Sequence, residues 1–485
     1  MLKKYALIIL SMFVFLLASA CQAAPERSIV TSKNDGAFEA ALEGTATQPP
    51  EAMDEQISEP ESYKGTFTST DGNITYEVDV ELPAAEDALP VIQVTPHTIT
   101  PEEAERVARA LFGDADIYEY STARSKAEIE KEILGLKQHI SDRDALVEYY
   151  GGEEAIADAV TIEYEHRINL LEEQYEEAPE TLALEPCRWT FHPQSYYDDA
   201  VLGLDIEAGY DDTQALKATV WVDDTPYMYW VSNRDASDYR IHNIYAYIDD
   251  LRVSEQEKVS TEKFTQQDID DALETANRVM EEMGMGTWTI DSYAVSEAMV
   301  GNETAYVMTV TACPVYNGVK VTHLPQLENL KSEDAYASNY YFEEIHFQFS
   351  GGRMISFEYL APLDVVSVAN DNIETLSAQE IIDIFENQMK LDNITGYQMQ
   401  GIPEELRDEV SQVTSVQAQV DTAEFGLVRT RVKNNAYDFY LLPAYSFRGT
   451  FSSYHSDGSE DMEQETIFAT INAVDGSIIN TQLGY

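Results

Sequence analysis

The residues whose types and order point most directly to chemistry are Leu17-Ala18-Ser19-Ala20-Cys21. Small side chains fit a signal-peptidase cleavage pocket, and a thiol directly after them is placed to take a diacylglycerol before the chain is cut in front of it. The run reads as a bacterial lipobox, with Ala18 where leucine is commoner. Ahead of it, Lys3 and Lys4 form a positive start, and Tyr5 to Leu17 form an apolar run too short for a comfortable membrane span. The expectation is a lipoprotein signal peptide over residues 1–20 and lipidation at Cys21. Its acyl chains, palmitate among them, would anchor the mature chain to the extracytoplasmic face of the cell membrane.

Other reactive residue types lack the spacing that chemistry needs. The eight histidines, including His97, His166, His192, His242 and His346, never pair at metal-ligand spacing, and no H-E-x-x-H occurs. There is no G-x-S-x-G, no P-loop and no C-x-x-C. Ser260-Thr261-Glu262-Lys263 matches the S-x-x-K of penicillin-recognising enzymes, but the K-T-G and S-D-N partners are missing and the tetrad lies in a charged linker. Glu165-His166 reads as a solvated helix face. Asp198-Asp199, Asp211-Asp212, Asp249-Asp250 and Asp457-Gly458-Ser459-Glu460-Asp461 offer oxygen ligands without EF-hand order, and read as loop charges. Cys187 and Cys313 read as buried small residues more readily than as a bridge, although an exported location permits one. No catalytic, cofactor-binding or metal-ligating residue is assigned, so no cofactor is expected.

Aspartate and glutamate number 88 against 30 lysines and arginines, a formal charge of −58. Such a surface repels phosphate backbones and anionic headgroups, which excludes nucleic acid and leaves membrane attachment to the lipid. Aromatic residues crowd two regions: Trp221, Tyr227, Tyr229, Trp230, Tyr245 and Tyr247, then Tyr340, Tyr341, Phe342 and Phe347. Alternating aromatics ordinarily face a core, whereas an exposed row beside carboxylates would stack on sugar rings.

The elements that must position these residues follow from patterning. Residues 21–62, rich in Ala, Glu, Pro, Thr and Ser, read as a disordered acidic tether. Thr66 to Leu82 alternates in the manner of strands around Asp71-Gly72. Thr100 with Glu103, Thr265 with Asp268 and Ser377 with Glu380 each precede an apolar stripe of helical spacing, the signature of a capping box. After each stripe come short alternating strands separated by turn pairs such as Asp223-Asp224, Asn317-Gly318, Gly351-Gly352 and Asp475-Gly476. The pattern predicts an α+β fold of three related units over 63–256, 261–365 and 372–485, in each of which a helix packs on an antiparallel sheet. An antiparallel helical hairpin, two amphipathic stripes around Gly151-Gly152, interrupts the first unit at 125–177.

Ile471-Asn472-Ala473-Val474-Asp475-Gly476, followed by Ile478 and Ile479, is similar to the closing strand and turn of PepSY-like modules. Pro314-Val315-Tyr316-Asn317-Gly318-Val319 resembles a loop of the same extended group, which includes membrane-tethered regulators of a Gram-positive cell-wall histidine kinase. The lipobox, the early Val78-Asp79-Val80 strand, the hairpin, and Ile345 to Pro362 leading into Ser377-Ala378-Gln379-Glu380 together resemble a clostridial lipoprotein family of unknown function. The resemblance implies fold and location and carries over no catalytic residue. The expected function is that of a lipid-anchored extracytoplasmic interaction or regulatory protein without catalytic activity, with an envelope protein as partner and the hairpin as the contacting element. The alternative is a cell-wall glycan- or cation-binding lipoprotein.

Overall fold

The expected helix starts rest on side chains that satisfy orphan backbone groups. Thr100, Thr265 and Ser377 each accept from the N–H three residues on, while Glu103, Asp268 and Glu380 reach back to the cap residue's own N–H. The computed structural model describes residues 60–84, 89–149, 152–193, 213–235, 240–249, 252–253, 255–300, 303–322, 342–370, 373–393, 412–432, 435, 438–460 and 464–479. The signal peptide, Cys21, nearly all of the tether, Asp198-Asp199, Asp211-Asp212, Tyr340 and Tyr341 lie outside these residues.

In chain order the elements begin with β1 (Glu61–Thr68), β2 (Ile74–Leu82), β3 (Val91–Pro96), α1 (Pro101–Phe112) and β4 (Ile117–Glu119). The hairpin region follows as α2 (Lys126–His139), α3 (Arg143–Tyr149) and α4 (Glu154–Glu177). Next are β5 (His192–Pro193), β6 (Thr213–Val222), β7 (Thr225–Asp235), β8 (Arg240–Ile248), α5 (Glu255–Lys258) and α6 (Gln266–Met283). Then come β9 (Trp288–Val300), β10 (Glu303–Tyr316), β11 (Val319–Lys320), β12 (Glu344–Ser350), β13 (Arg353–Leu360) and β14 (Leu363–Asn370). The chain closes with α7 (Ala378–Leu391), β15 (Val413–Arg431), β16 (Phe439–His455) and β17 (Gln464–Asn472).

The fold is α+β with large antiparallel sheets, but among the described residues the strands form two sheets rather than three. The ten-stranded sheet runs β11-β10-β12-β13-β8-β7-β6-β4, with β9 beside β10 and β5 beside β6. It merges the first two meanders, because β8 of the first and β13 of the second pair antiparallel, Ser356 opposite Tyr247 through Leu360 opposite Asn243. The physical reason is the edge: each meander alone would leave a row of unpaired backbone groups, and joining them removes two edges at once. Helices α1 and α6 lie on one face of this sheet, where Val107, Ala108, Ala276 and Val279 meet Val220, Tyr229, Ala246, Val310, Phe347 and Phe357.

The seven-stranded sheet runs β1-β2-β15-β16-β3-β14, with β17 beside β16. Strands β1, β2 and β3 come from ahead of α1 and β14 comes from the end of the second meander, so strands from the expected first and second units complete the sheet of the third. Strand β2 lies parallel to β15, with Ile74 beside Val416 and Val78 beside Val420. Helix α7 covers this sheet through Ile381, Phe385 and Met389, packed on Tyr76, Val78, Val420, Tyr445 and Phe447. Phe385 and Phe447 stack with centroids 4.1 Å apart. Where β15 shifts register after Val420, Gly449 fits because a Cβ there would sit 1.9 Å from the Gln419 carbonyl oxygen.

The inserted hairpin has a separate small core of Ile129, Ile133, Ile168 and Leu171. A short third helix, α3, intervenes where a simple Gly-Gly turn was expected. No helix of the described residues is long and apolar enough to cross a membrane.

Candidate functional site

Where the two sheets meet, ionisable side chains from both form a seam. Its centre is Glu343, just ahead of β12 and 5% exposed. Tyr316, at the end of β10, donates to Oε2 at 2.8 Å; Tyr359, near the end of β13, donates to Oε1 at 3.2 Å. The N–H of Leu363, opening β14, donates to Oε1 at 3.1 Å. Burial pushes the carboxyl up to about 7, although these three hydrogen bonds and the nearby Arg429 charge favour the anion. Arg429, on β15, lies with its guanidinium carbon 4.6 Å from the centre of the Phe439 ring and 5.5 Å from that of Phe342.

Beside it, His97 leaves β3 with Nδ1 2.9 Å from Asp364 and Nε2 3.0 Å from Glu103. Burial opposes its positive charge, but the two carboxylates outweigh that and raise its pKa above the ordinary value. Nδ1 of His242 meets the backbone carbonyl of His97 and therefore donates to it. Further along, Lys320 Nζ lies 2.6 Å from both Asp291 and Glu424, and Arg448 is 3.3 Å from Glu424. Burial, followed by the nearby Asp291 charge, pushes the Cys313 thiol up to about 12, which removes its nucleophilicity at neutral pH. Cys187 and Cys313 are both free.

Chemically, the seam fastens the sheets together. Glu343 and His97 each bridge elements of both, and the enclosed Glu343 carboxyl faces protein donors rather than a cleft. Sequence reasoning passed over Glu343. The available signal was an acidic pair, Glu343-Glu344, set directly after Tyr340-Tyr341-Phe342 and ahead of an alternating strand.

The aromatic groups divide between two faces. Tyr227, Tyr229 and Phe347 face the core under α1 and α6. On the opposite face, Lys217, Trp230, Tyr245, Glu358 and His346 are register partners across β6, β7, β8, β13 and β12. All five are half-buried. Lys217 Nζ lies 5.2 Å from the Trp230 ring centre, the Trp230 and Tyr245 rings are 5.4 Å apart, and His346 Nε2 is 2.6 Å from Glu344.

The remaining candidates have structural settings. Ser260 donates its N–H to Ser350 and accepts from Glu262 N–H, and Lys263 lies over the Tyr306 ring, which accounts for the S-x-x-K match. Glu165 and His166 are exposed on α4. Asp457 accepts from the N–H and hydroxyl of Ser459 in a turn. Among the described residues no group of three or more His, Cys, Asp or Glu is arranged to hold a metal ion.

The hairpin is closed at its base, where Lys126 N–H donates to the Pro179 carbonyl at 3.0 Å. Arg252, its side chain 3% exposed, pairs with Glu128 and with Asp249 at 3.0 Å, and donates to the Ser121 and Ala123 carbonyls. Glu128 is engaged by Arg252, and Glu132 by Arg124 and Arg167. Leu134 and Ile162 stand 61% and 67% exposed.

No protein-family model matches this chain, and no curated protein matches it. Among solved structures, it is similar to an uncharacterized protein from Eubacterium rectale at 8% identity, covering 91% of this chain and 98% of that one, with a TM-score of 0.35. It is also similar to the C-terminal domain of Bacillus megaterium YpeB at 10% identity, covering 57% of this chain and 87% of that one, with a TM-score of 0.22.

Proposed function

We propose that this chain is an interaction or regulatory protein without catalytic activity, anchored through Cys21 to the extracytoplasmic face of a cell membrane. The observation that carries this reading is the hairpin: it closes its own core, is fastened at one end by Arg252, and leaves Leu134 and Ile162 exposed among acidic residues. An insertion that adds nothing to the core of its parent sheet, yet presents apolar side chains outward, fits contact with another protein. The sequence units 63–256, 261–365 and 372–485 are read as PepSY-like repeats, supported by three capped helices each followed by an antiparallel meander.

Capture of the anchored protein from an envelope extract tests the proposal. Enrichment of a membrane protein supports it; retention on peptidoglycan with no protein partner contradicts it. That second outcome belongs to a glycan-binding reading, favoured by the half-buried row Lys217, Trp230, Tyr245 and Glu358, in which stacked rings stand beside a carboxylate.

A further inference from the structure

We propose that strand β14 is an acceptor edge, on which an extended cationic segment of a partner protein adds as a further strand of the seven-stranded sheet. The inference rests on the reading of this chain as an interaction protein, but it names a surface separate from the hairpin. Strand β14 ends the sheet and, among the described residues, pairs with β3 alone. A terminal strand offers a row of backbone donors and acceptors to any chain that arrives extended, and proteins ordinarily blunt such edges with lysine, proline or β-bulges. The sequence Leu-Asp-Val-Val-Ser-Val-Ala-Asn has no lysine and no proline, and its two breaks in register limit the open edge to a short stretch.

Instead, Val365, Val366 and Val368 are 49%, 53% and 46% exposed. Successive side chains of a regular strand point to opposite faces, so exposure of Asp364 with Val365 and of Ser367 with Val368, pairs within which the register is unbroken, means that the strand is open above and below the sheet. The strand is also held in place before any partner arrives. Leu363 N–H is fixed on Glu343, and Asp364 is fixed on His97. Breaks in register between Val365 and Ser367 and between Val368 and Asn370 twist the strand, which suits a short added segment and works against open-ended stacking.

Charge selects the occupant. With a formal charge of −58, a second copy of the chain is repelled, and so is its own acidic stretch ahead of β1; a lysine- or arginine-rich segment is attracted. Apolar residues alternating with the cations would lie against the valines.

The test uses the full chain in neutral detergent and a fluorescent nine-residue peptide alternating lysine with valine, followed by anisotropy. Saturable binding is expected. It should weaken at least tenfold when alternate peptide bonds are N-methylated, which keeps charge and side chains but removes the ladder. It should weaken similarly in the Val366→Ser, Val368→Ser double variant, whose melting curve is expected to match the parent. Binding should survive replacement of the hairpin by a linker, which separates this proposal from the hairpin reading. Equal binding of the methylated peptide, or equal binding by the double variant, would overturn strand addition in favour of plain charge attraction. A concentration-dependent dimer in sedimentation that the double variant abolishes would overturn it in favour of a second copy.

Discussion

Glu343 shows how a single buried acid makes stability depend on pH. Its carboxyl titrates near 4.5 when unfolded and at about 7 when folded, so between those values the native state holds a proton that the unfolded chain has released. Stability therefore falls as pH rises through that window, by about 3 kcal/mol, and the penalty is constant above it. His97 acts in the same direction: its raised pKa means stabilisation present below 6.5 that is lost as pH rises through its folded value. The variant Glu343→Gln keeps an acceptor for Leu363 N–H and an amide that the Tyr316 hydroxyl can accept from. Its denaturation free energy should exceed that of the parent above pH 7 and vary less between pH 4.5 and 7. An unchanged slope in urea titrations across that range would show that Glu343 is not the group responsible.

Among the elements, helix starts were legible because a cap is local: Thr100 with Glu103, Thr265 with Asp268 and Ser377 with Glu380 lie within one turn. Ser125 with Glu128 forms a fourth box at the start of α2. Turn pairs were legible for the same reason, and Asp223, Asp224, Asn317 and Gly318 all take the positive φ that a tight hairpin demands. Strand partners were not. Alternation in Ile74, Tyr76, Val78 and Val80 says which side chains go inward, but carries nothing about a neighbour more than 300 residues away. Nor could spacing reveal that one arginine fastens the hairpin. Arg252→Met removes the partner of the largely enclosed Glu128 and Asp249 and should cost about 3 kcal/mol. Amide exchange should then accelerate across residues 126–177 while β6–β8 stay protected. Uniform acceleration across both regions would mean that the hairpin is integral to the sheet.

For the whole molecule, the decisive feature is that the chain's early strands are built into one sheet with its last strands. Ile74, Tyr76, Val78, Val80 and Leu82 are each 3% exposed or less in the core under α7. Burying a side chain of this kind is worth roughly 1.5 to 3 kcal/mol, so their loss exceeds the margin of an ordinary domain. Residues 372–485 alone should therefore show no cooperative melting transition, and a sharp transition from that fragment would contradict the account. The same architecture leaves the hairpin outside both cores, with its ends 3.0 Å apart at Lys126 N–H and the Pro179 carbonyl, so a short linker closes the gap.

The most direct measurement of the functional claim is therefore capture of envelope proteins by the full chain in which Gly-Ser replaces residues 125–177. The account predicts unchanged export, cooperative melting and loss of the captured membrane protein. Capture that survives the replacement in a folded, exported chain would contradict it.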